Sequence, residues 1–370
     1  MRDRAGLRRF FTMPAALYAD DPNWVHPLLI ERMEHLDPRR NVFIERMEIA
    51  LWLAWRGERC VGRISAQVNP AHLEQHGDAA GQFGFIEAED DPEVFAALLG
   101  RAESWLRERG LACCRGPFNP SINDECGLLV DGFDTPPSVL MGHARPYHGA
   151  RLEALGYRKA KDLVAYRFDV AADWPPEAAR LIRRLERYPS LRVRPIDPKR
   201  LDAELEIVRD VFNDAWSGNW GFVPFTAEEA RYMWKSIRPL ITPEHLLIGE
   251  IDGEPAAMVM TLPNLHEVIA DLGGRLLPFG WAKLLWRLKV RGVRSARMPL
   301  MGVRRRYHGT RKGAALALAV IARAREFHRA RGMRTAELSW LLEDNRSILD
   351  VVELVGATRY KTYRIYEKPL

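Results

Sequence analysis

The sequence predicts an α/β protein in which one mixed α+β sheet fold occurs twice in tandem. Its 370 residues exceed what one hydrophobic core usually organises, so two domains of ordinary size are expected. The same order of strand hairpin, strand, helix, strand, helix and strand can be read in both halves. Hydrophobic residues make up 47% and charged residues 28% of the chain, which is typical of a folded protein.

The first half begins with two helical stretches and then turns to strands. Its elements are predicted as helices at 6–18 and 27–36, strands at 48–55, 60–69 and 81–88, a helix at 91–109, and strands at 111–116 and 161–170. Apolar residues recur at helical spacing from Val94 to Leu106, and Gly110 ends that helix. The RGE between the first two strands predicts a hairpin turn.

The second half repeats this order after a connecting segment. Its elements are predicted as strands at 191–196, 296–303, 335–340 and 360–367, helices at 202–216, 227–237, 313–331 and 347–355, and a hairpin whose turn is IDGEP. The segment LEALGYRKAKDLVAYRF of the first half matches LELVGATRYKTYRIYEK of the second. We therefore predict an N-terminal domain at 1–172, a linker at 173–190 and a C-terminal domain at 191–370.

Composition narrows the classes of function. A net charge of +6 suits the phosphates of a cofactor, an acidic carrier protein or an anionic membrane surface, and suits RNA less specifically. Thr12, Pro14 and Tyr18 interrupt the N-terminal apolar stretch, so no signal peptide is expected, and no segment approaches 18 uninterrupted apolar residues. Four cysteines without metal-ligand spacing predict reduced thiols, no metal site and a cytoplasmic location.

The segment VRRRYHGTRKGAAL resembles the phosphate-binding turn of the acetyltransferase-like (GNAT) superfamily. The pattern of Arg or Gln, two residues, Gly, any residue, then Gly or Ala falls on His308, Arg311 and Gly313. A turn of free N–H groups entering a helix can hold a pyrophosphate. Arg311 replaces the middle Gly and blocks one close approach, but it adds positive charge. The alternative is a solvated basic turn before a core helix.

The resemblance implies an acyl-thioester site in the C-terminal copy. The strand ending at Val303 would be bulged and would diverge from the strand at 335–340, leaving a cleft for pantetheine. The donor is expected to be acyl-CoA or acetyl-CoA, with an acyl carrier protein as the alternative and no metal. The implied cofactor-binding residues are Leu300, Met301, Gly302, Val303, His308, Gly309, Arg311, Lys312, Gly313, Ala314 and Asn345.

Val352 occupies the position where the family often has a general-acid Tyr. The thiolate then needs another proton donor or leaves as the anion. Tyr363, Tyr366 and Tyr307 are the candidate donors, and Tyr363 is the one predicted. Glu125 and His148 are predicted to accept protons from the amine, with Asp124 and Glu267 as further candidate bases.

Two polar loops are the candidate acceptor sites. In the first half, GPFNPSINDECGLLVDGF carries Asn119, Ser121 and Asn123, although loop capping also explains such residues. In the second half, Asn219 and Trp220 lie in a loop that the resemblance places over the acceptor. The first copy is expected to bind no CoA, because the acids of GQFGFIEAEDDPEV at its helix start repel a pyrophosphate.

The insertion LLPFGWAKLLWRLKVRGVRSARM predicts a basic amphipathic helix with Trp, which suits peripheral contact with the inner membrane surface. The alternative is a surface helix packed on its own domain. Over nearly its full length the chain resembles bacterial tandem GNAT N-acyltransferases, some linked to ceramide formation. The resemblance implies direct acyl transfer to a small-molecule or lipid amine, such as a sphingoid base.

Two other functions compete with this one. Aminoacyl transfer from charged tRNA also uses paired GNAT folds, but nucleic acid is not expected as a partner because no broad basic face is evident in the sequence. A catalytically inactive binding protein is favoured by Arg311 and Val352. The metal-binding helix of nucleotide pyrophosphohydrolases is absent from the sequence.

Overall fold

A computed structural model describes residues 3–370. The chain forms two compact units. The N-unit comprises the described residues up to Val164, together with Ile269–Leu284 and Lys361–Leu370. The C-unit comprises Ala165–Val268 and Leu285–Tyr360. Each unit therefore combines segments that are distant in sequence.

The first half of the chain contains seven α-helices and eight strands within the described residues. The helices are α1 (Arg4–Thr12), α2 (Pro14–Leu17), α3 (Leu29–His35), α4 (Val42–Glu45), α5 (Pro70–His76), α6 (Pro92–Arg107) and α7 (Tyr147–Ala154). The strands are β1 (Glu48–Arg56), β2 (Arg59–Val68), β3 (Ala80–Ala88), β4 (Cys113–Gly116), β5 (Phe118–Asn119), β6 (Glu125–Cys126), β7 (Leu128–Asp131) and β8 (Arg158–Asp169).

The second half contains the remaining elements. Its helices are α8 (Pro176–Arg184), α9 (Leu201–Trp216), α10 (Ala227–Ile237), α11 (Leu265–Ile269), α12 (Gly280–Trp286), α13 (Arg311–Ala330) and α14 (Arg346–Leu354). Its strands are β9 (Leu191–Pro195), β10 (Leu246–Ile251), β11 (Glu254–Pro263), β12 (Ser295–Val303), β13 (Thr335–Leu342) and β14 (Thr358–Pro369).

Both units share one pattern of strand pairing, and the C-unit has one more antiparallel strand than the N-unit. In the N-unit, β1, β2 and β3 pair antiparallel and β4 joins β3 in parallel. In the C-unit, β9 to β12 pair antiparallel and β13 joins β12 in parallel. A parallel pair requires a crossover connection, and α6 and α13 provide it. The predicted fold class, a mixed α/β protein with two copies of one fold, is confirmed.

The last strand of each half extends into the other unit. Residues Lys361–Leu370 belong to the N-unit, where β14 pairs antiparallel with β4 and β7. Residues 165–169 of β8 belong to the C-unit, where β8 lies beside β13. The predicted domains at 1–172 and 191–370 are the two copies of the sequence repeat, whereas the two units are defined by contacts within the structure. The domain boundaries therefore stay a prediction.

Each long helix covers the sheet of its own unit. Leu316, Val320 and Ala324 of α13 pack against apolar residues of β10 and β11. On α6, Leu98 packs so close to β2 that a Cβ added to Gly62 would lie 2.7 Å from its side chain. These contacts bury the apolar stripe that the sequence predicts for both helices.

Two predicted elements differ in detail. The helix predicted at 6–18 is divided into α1 and α2, because Pro14 starts a new helix and cannot donate a backbone hydrogen bond to the first. The polar loop predicted after β4 contains the short strands β5, β6 and β7. Among the described residues, no helix is both long and apolar enough to cross a membrane.

Candidate active site

In the C-unit, β12 and β13 separate part of the way along their length. Their parallel pairing ends at Met298 and Leu338, although β12 continues to Val303. The register between β11 and β12 shifts between Met260 and Leu262, which marks a bulge at the same level. The bulge and the divergence that the family resemblance implies are both present.

Beyond the divergence, β12 presents a free main-chain edge. The backbone N–H of Arg304 donates to the carbonyl of Ala256 at 2.8 Å. Because bonding alternates along an antiparallel pair, the N–H and C=O groups of Met301 and Val303 face away from β11. This edge has the geometry needed to pair with an extended amide-containing chain such as pantetheine.

Side chains already bind the two carbonyls of this edge. The indole Nε1 of Trp216 donates to the carbonyl of Met301 at 3.1 Å, and Nε2 of His308 lies 2.7 Å from the carbonyl of Val303. Trp216 reaches the edge because α9 packs on Gly302, where an added Cβ would lie 2.9 Å from Ala215. The N–H groups of Met301 and Val303 point to the same edge and are the groups left for a ligand.

The turn after β12 leads into the N-terminus of α13. Thr310 caps the helix by accepting a hydrogen bond from the N–H of Gly313 at 3.0 Å. A Cβ added to Gly313 would lie 2.1 Å from the carbonyl oxygen of Tyr307, so this position requires glycine. The N–H groups of Arg311 and Lys312 open the helix, where backbone donors have no intrahelical partner.

Acidic side chains neutralise most of the basic residues in this turn. Ion pairs join Arg304 to Asp210, Arg306 to Glu254 and Lys312 to Asp252, at N···O distances of 2.5, 2.6 and 2.9 Å. Arg305 donates its backbone N–H to Asp214 at 2.8 Å. Arg311 is exposed and has no ion pair among the described residues. It is therefore the cation best placed to meet a phosphate.

A buried polar network lies where β12 and β13 diverge. The Nε of Arg297 donates to the hydroxyl of Ser339 at 2.9 Å and lies 3.6 Å from a carboxylate oxygen of Glu337. The hydroxyls of Ser339 and Tyr360 both donate to Glu337. Glu337 is only 4% exposed. No pattern in the sequence indicated this network.

The network and an apolar pocket share one face of the sheet. Met298 packs against the core beneath α13, so alternation turns Arg297 to the opposite face, towards α9 and α10. Leu300 follows the bulge on that face and lines a narrow apolar pocket that is partly open to solvent. The other lining residues are Leu205, Val208, Arg209, Phe212, Phe225, Ala230, Met233, Trp234, Ile237, Leu246, Met258 and Met260.

The remaining predicted residues of the C-unit lie in loops and caps. Ala314 continues the first turn of α13, and Gly309 adopts a φ of 70° in the preceding turn. Asn345 directly precedes α14 and makes no side-chain capping bond to it. Asn219 donates its N–H to the carbonyl of Trp216 at 2.8 Å, and Trp220 beside it is partly buried.

The predicted polar residues of the N-unit bind one another and the backbone. Oδ1 of Asn119 accepts a hydrogen bond from the N–H of Phe85 at 2.6 Å, at a bulge in β3. The hydroxyl of Ser121 donates to Asp124 at 2.5 Å and accepts from the N–H of the exposed Asn123 at 3.2 Å. Burial raises the pKa of Asp124. Loop capping, the alternative given above, accounts for these contacts.

The three predicted catalytic residues all lie in the N-unit and are buried or paired. Glu125 forms an ion pair with Arg32. His148 is fully buried against Phe95, and burial lowers its pKa to about 4. Tyr363 is also fully buried, in β14. Their catalytic roles stay predictions, and nothing in this geometry exposes them to a substrate.

In the N-unit, the chain itself fills the space that the C-unit leaves open. A Cβ added to Gly84 of β3 would lie 1.7 Å from the carbonyl oxygen of Phe118, so β5 lies directly against β3. At the start of α6, Asp91 and Glu93 carry negative charge and pair with Arg56. This copy has neither the open edge nor the basic helix start of the C-unit.

Comparison with known proteins identifies close relatives over the full length. The bacterial ceramide synthase of Caulobacter vibrioides is 50% identical over 368 residues, covering 99% of this chain and 95% of that protein. Protein YghO of Escherichia coli is 45% identical over 367 residues, covering 98% and 93%. No protein-family model matches the chain.

Solved structures show the same fold at low sequence identity. A tandem GNAT protein from the clavulanic acid biosynthesis pathway has a TM-score of 0.58 and 13% identity, covering 100% of this chain and 96% of that one. The GCN5-related glucosamine N-acetyltransferase region of a fungal β-N-acetylglucosaminidase has a TM-score of 0.59 and 15% identity, covering 100% and 37%. The chain thus has the tandem GNAT fold and belongs to the family of the bacterial ceramide synthase and YghO.

Proposed function

We propose that the C-unit transfers an acyl group from acyl-CoA to a primary amine by direct attack on the thioester. The divergence of β12 from β13 beside the start of α13 carries this proposal. Met301 and Val303 would pair with pantetheine through their N–H groups, and the first N–H groups of α13 with Arg311 would meet the pyrophosphate. An acyl carrier protein is the alternative donor.

The acceptor needs a group that takes a proton from its ammonium form. We assign this role to Glu337, which lies 3.6 Å from Arg297 and accepts a hydrogen bond from Tyr360. Because Glu337 itself is buried, the proton of the ammonium would pass to it through the hydroxyl of the partly buried Tyr360. The amine nitrogen then bonds to the thioester carbon, the carbon–sulfur bond breaks, the thiolate leaves, and the nitrogen releases its second proton to solvent as the amide forms. The usual tyrosine position is Val352, which has no proton to donate, so solvent protonates the thiolate.

The apolar pocket supports a lipid substrate. Its lining is almost wholly apolar and includes Leu300, the neighbour in sequence of Met301 at the free edge of β12. If α9 and α10 move apart, a hydrocarbon chain of the donor or of a lipid amine would bury its surface there, at about 0.8 kcal/mol per methylene. The name of the Caulobacter relative favours a sphingoid base as the lipid amine.

The first test measures thiol release from acetyl-, lauroyl- and palmitoyl-CoA with small amines, amino acids and long-chain amino alcohols. We expect release with a long-chain CoA and a lipid amine, and a loss of more than about 100-fold in kcat for Glu337→Gln. Glu353→Gln removes a carboxylate that also binds a tyrosine hydroxyl, that of Tyr166, and should keep its activity. No thiol release with any pair and no thermal shift with CoA would reject acyl-CoA as the donor.

The second test probes the pocket. Ala230→Leu fills part of it, so kcat/KM for long-chain substrates should fall about tenfold or more while that for acetyl-CoA is kept. Ala227→Leu places the same side chain at the start of α10, outside the pocket, and should change neither value. Equal effects of Ala230→Leu on acetyl and palmitoyl donors would show that the pocket does not bind the chain.

A protein that binds acyl-CoA without turning it over is the second candidate. Trp216 and His308 already bind the two carbonyls of the free edge, so a cofactor would make fewer hydrogen bonds there. Fewer bonds position the thioester less firmly, which favours binding without turnover. A thermal shift with CoA in the absence of thiol release with every amine would support this candidate over the transferase.

A further inference from the structure

Residues 277–290 hold most of the large apolar side chains that face solvent. Nine such side chains are exposed within residues 3–370, and six of them lie in this segment: Leu277, Phe279, Trp281, Leu285, Trp286 and Val290. Leu277 and Phe279 are each 79% exposed. Exposed apolar side chains concentrated in one segment mark a surface that binds a partner.

Hydrogen bonds and an ion pair hold this segment against neighbouring parts of the protein. The N–H of Leu29 donates to the carbonyl of Gly274 at 3.1 Å, and Lys283 forms an ion pair with Asp271 at 2.5 Å. Further along, Arg287 donates to the carbonyl of Val268 at 2.6 Å. These bonds fix the backbone of the segment while its large apolar side chains face solvent. The exposure of the apolar side chains is therefore a property of the folded surface.

The charges around the segment select the partner. Between Asp271 and Arg294 the sequence has six basic residues and one acid, and that acid is paired with Lys283. Lys289 and Arg291 are exposed and flank the exposed Val290 in the sequence. Two copies of this surface would repel each other because both are positively charged, whereas anionic lipid headgroups would attract it. Tryptophan among basic residues is typical of segments that lie at a membrane surface.

We propose that residues 275–291, called here the docking segment, bind the surface of a membrane containing anionic lipids. The apolar side chains enter the interface, and the basic side chains contact lipid headgroups. Binding requires neither a thioester nor an amine, so its test is independent of the acyl-transfer proposal.

The test is flotation of the full-length protein with vesicles of phosphatidylcholine alone or with about one third phosphatidylglycerol. We expect binding to the anionic vesicles, weakened more than about tenfold in Phe279→Ser/Trp281→Ser. Trp55→Ser/Leu140→Ser removes two exposed apolar side chains elsewhere and should bind as the unaltered protein does. Thermal unfolding establishes that each variant is folded.

The contribution of charge is tested separately. Lys289→Gln/Arg291→Gln should weaken binding to anionic vesicles by about fivefold for each charge removed. No binding to either vesicle, or equal binding by Phe279→Ser/Trp281→Ser, overturns the proposal. A concentration-dependent dimer that Phe279→Ser/Trp281→Ser abolishes, without vesicle binding, would assign the surface to a second copy instead.

Discussion

Glu87 of the N-unit is a carboxyl group whose burial opposes its negative charge. The hydroxyl of Tyr18 donates to it at 2.6 Å, and Arg63 lies 3.8 Å away. Burial raises the pKa of Glu87 to about 7 and lowers the pKa of Arg63 to about 10. The folded protein therefore binds a proton at Glu87 over a range of pH in which the unfolded chain has released it.

This difference predicts how stability changes with pH. Because the pKa of Glu87 rises from 4.5 to about 7 on folding, its contribution to the free energy of unfolding falls as the pH rises through that window. Glu87→Gln cannot ionise, so its Tm should fall less than that of the unaltered protein between pH 5 and pH 8. Glu89→Gln is the matched change at a more exposed carboxylate, and it should keep the original slope. Parallel Tm profiles for all three proteins would refute the assignment.

At the scale of elements, the turn before α13 packs tightly against the first turn of that helix. The turn of residues 305–307 lies on the helix at Gly313, where the carbonyl of Tyr307 occupies the space of a side chain. Thr310 bonds the N–H of the same glycine. The small residue that the family pattern requires is needed here by the protein's own backbone, before any phosphate is bound.

Gly313→Ala should therefore displace the turn. We expect a lower Tm and a CoA affinity reduced about tenfold or more, because a shift of the turn moves the donors of the phosphate site. Gly100→Ala is the control: it lies inside α6 with nothing within 4 Å of an added Cβ, and should raise stability by about 0.5–1 kcal/mol. Isothermal titration and thermal unfolding measure both effects. Unchanged CoA binding by a folded Gly313→Ala would move the phosphate site elsewhere.

Sequence patterns were sufficient for most of the long elements and for the fold class. Periodicity and the helix-ending glycines predicted α6, α13 and the strand hairpins, because these signals are local. Glu337 lies between the apolar residues Ala336 and Leu338 in β13. This alternation normally indicates a side chain that faces solvent, so the sequence gives no sign that Glu337 is buried in a polar network. Its partner Arg297 lies 40 positions earlier, and only the pairing of β12 with β13 brings the two together.

At the scale of the whole molecule, each unit needs residues from the end of the other half. Tyr366 and Lys368 of β14 pair with Gly116 and Cys114 of β4, and Lys368 also forms an ion pair with Glu103. The sequence repeat predicts two copies of one fold, but local patterns do not specify which sheet edge a terminal strand joins. The exchange of strands was therefore not predicted.

A fragment ending at residue 172 tests this arrangement. It lacks Lys361–Leu370 and leaves the edge of β4 unpaired, so we expect it to aggregate or to unfold without cooperativity. The same fragment joined by a flexible linker to residues 358–370 should gain a cooperative transition in circular dichroism. A fragment that unfolds cooperatively without the added strand would show that the exchange is dispensable.

The position of β14 also constrains how the chain folds as it is made. Residues 361–370 leave the ribosome about 200 residues after Val164, which takes about 10–40 seconds at about 5–20 residues per second. Throughout that time the N-unit has its hydrophobic strands but an open edge at β4. The first unit to be synthesised is thus completed last. Because the nascent chain exposes an unpaired strand edge during this time, we expect chaperones to bind it.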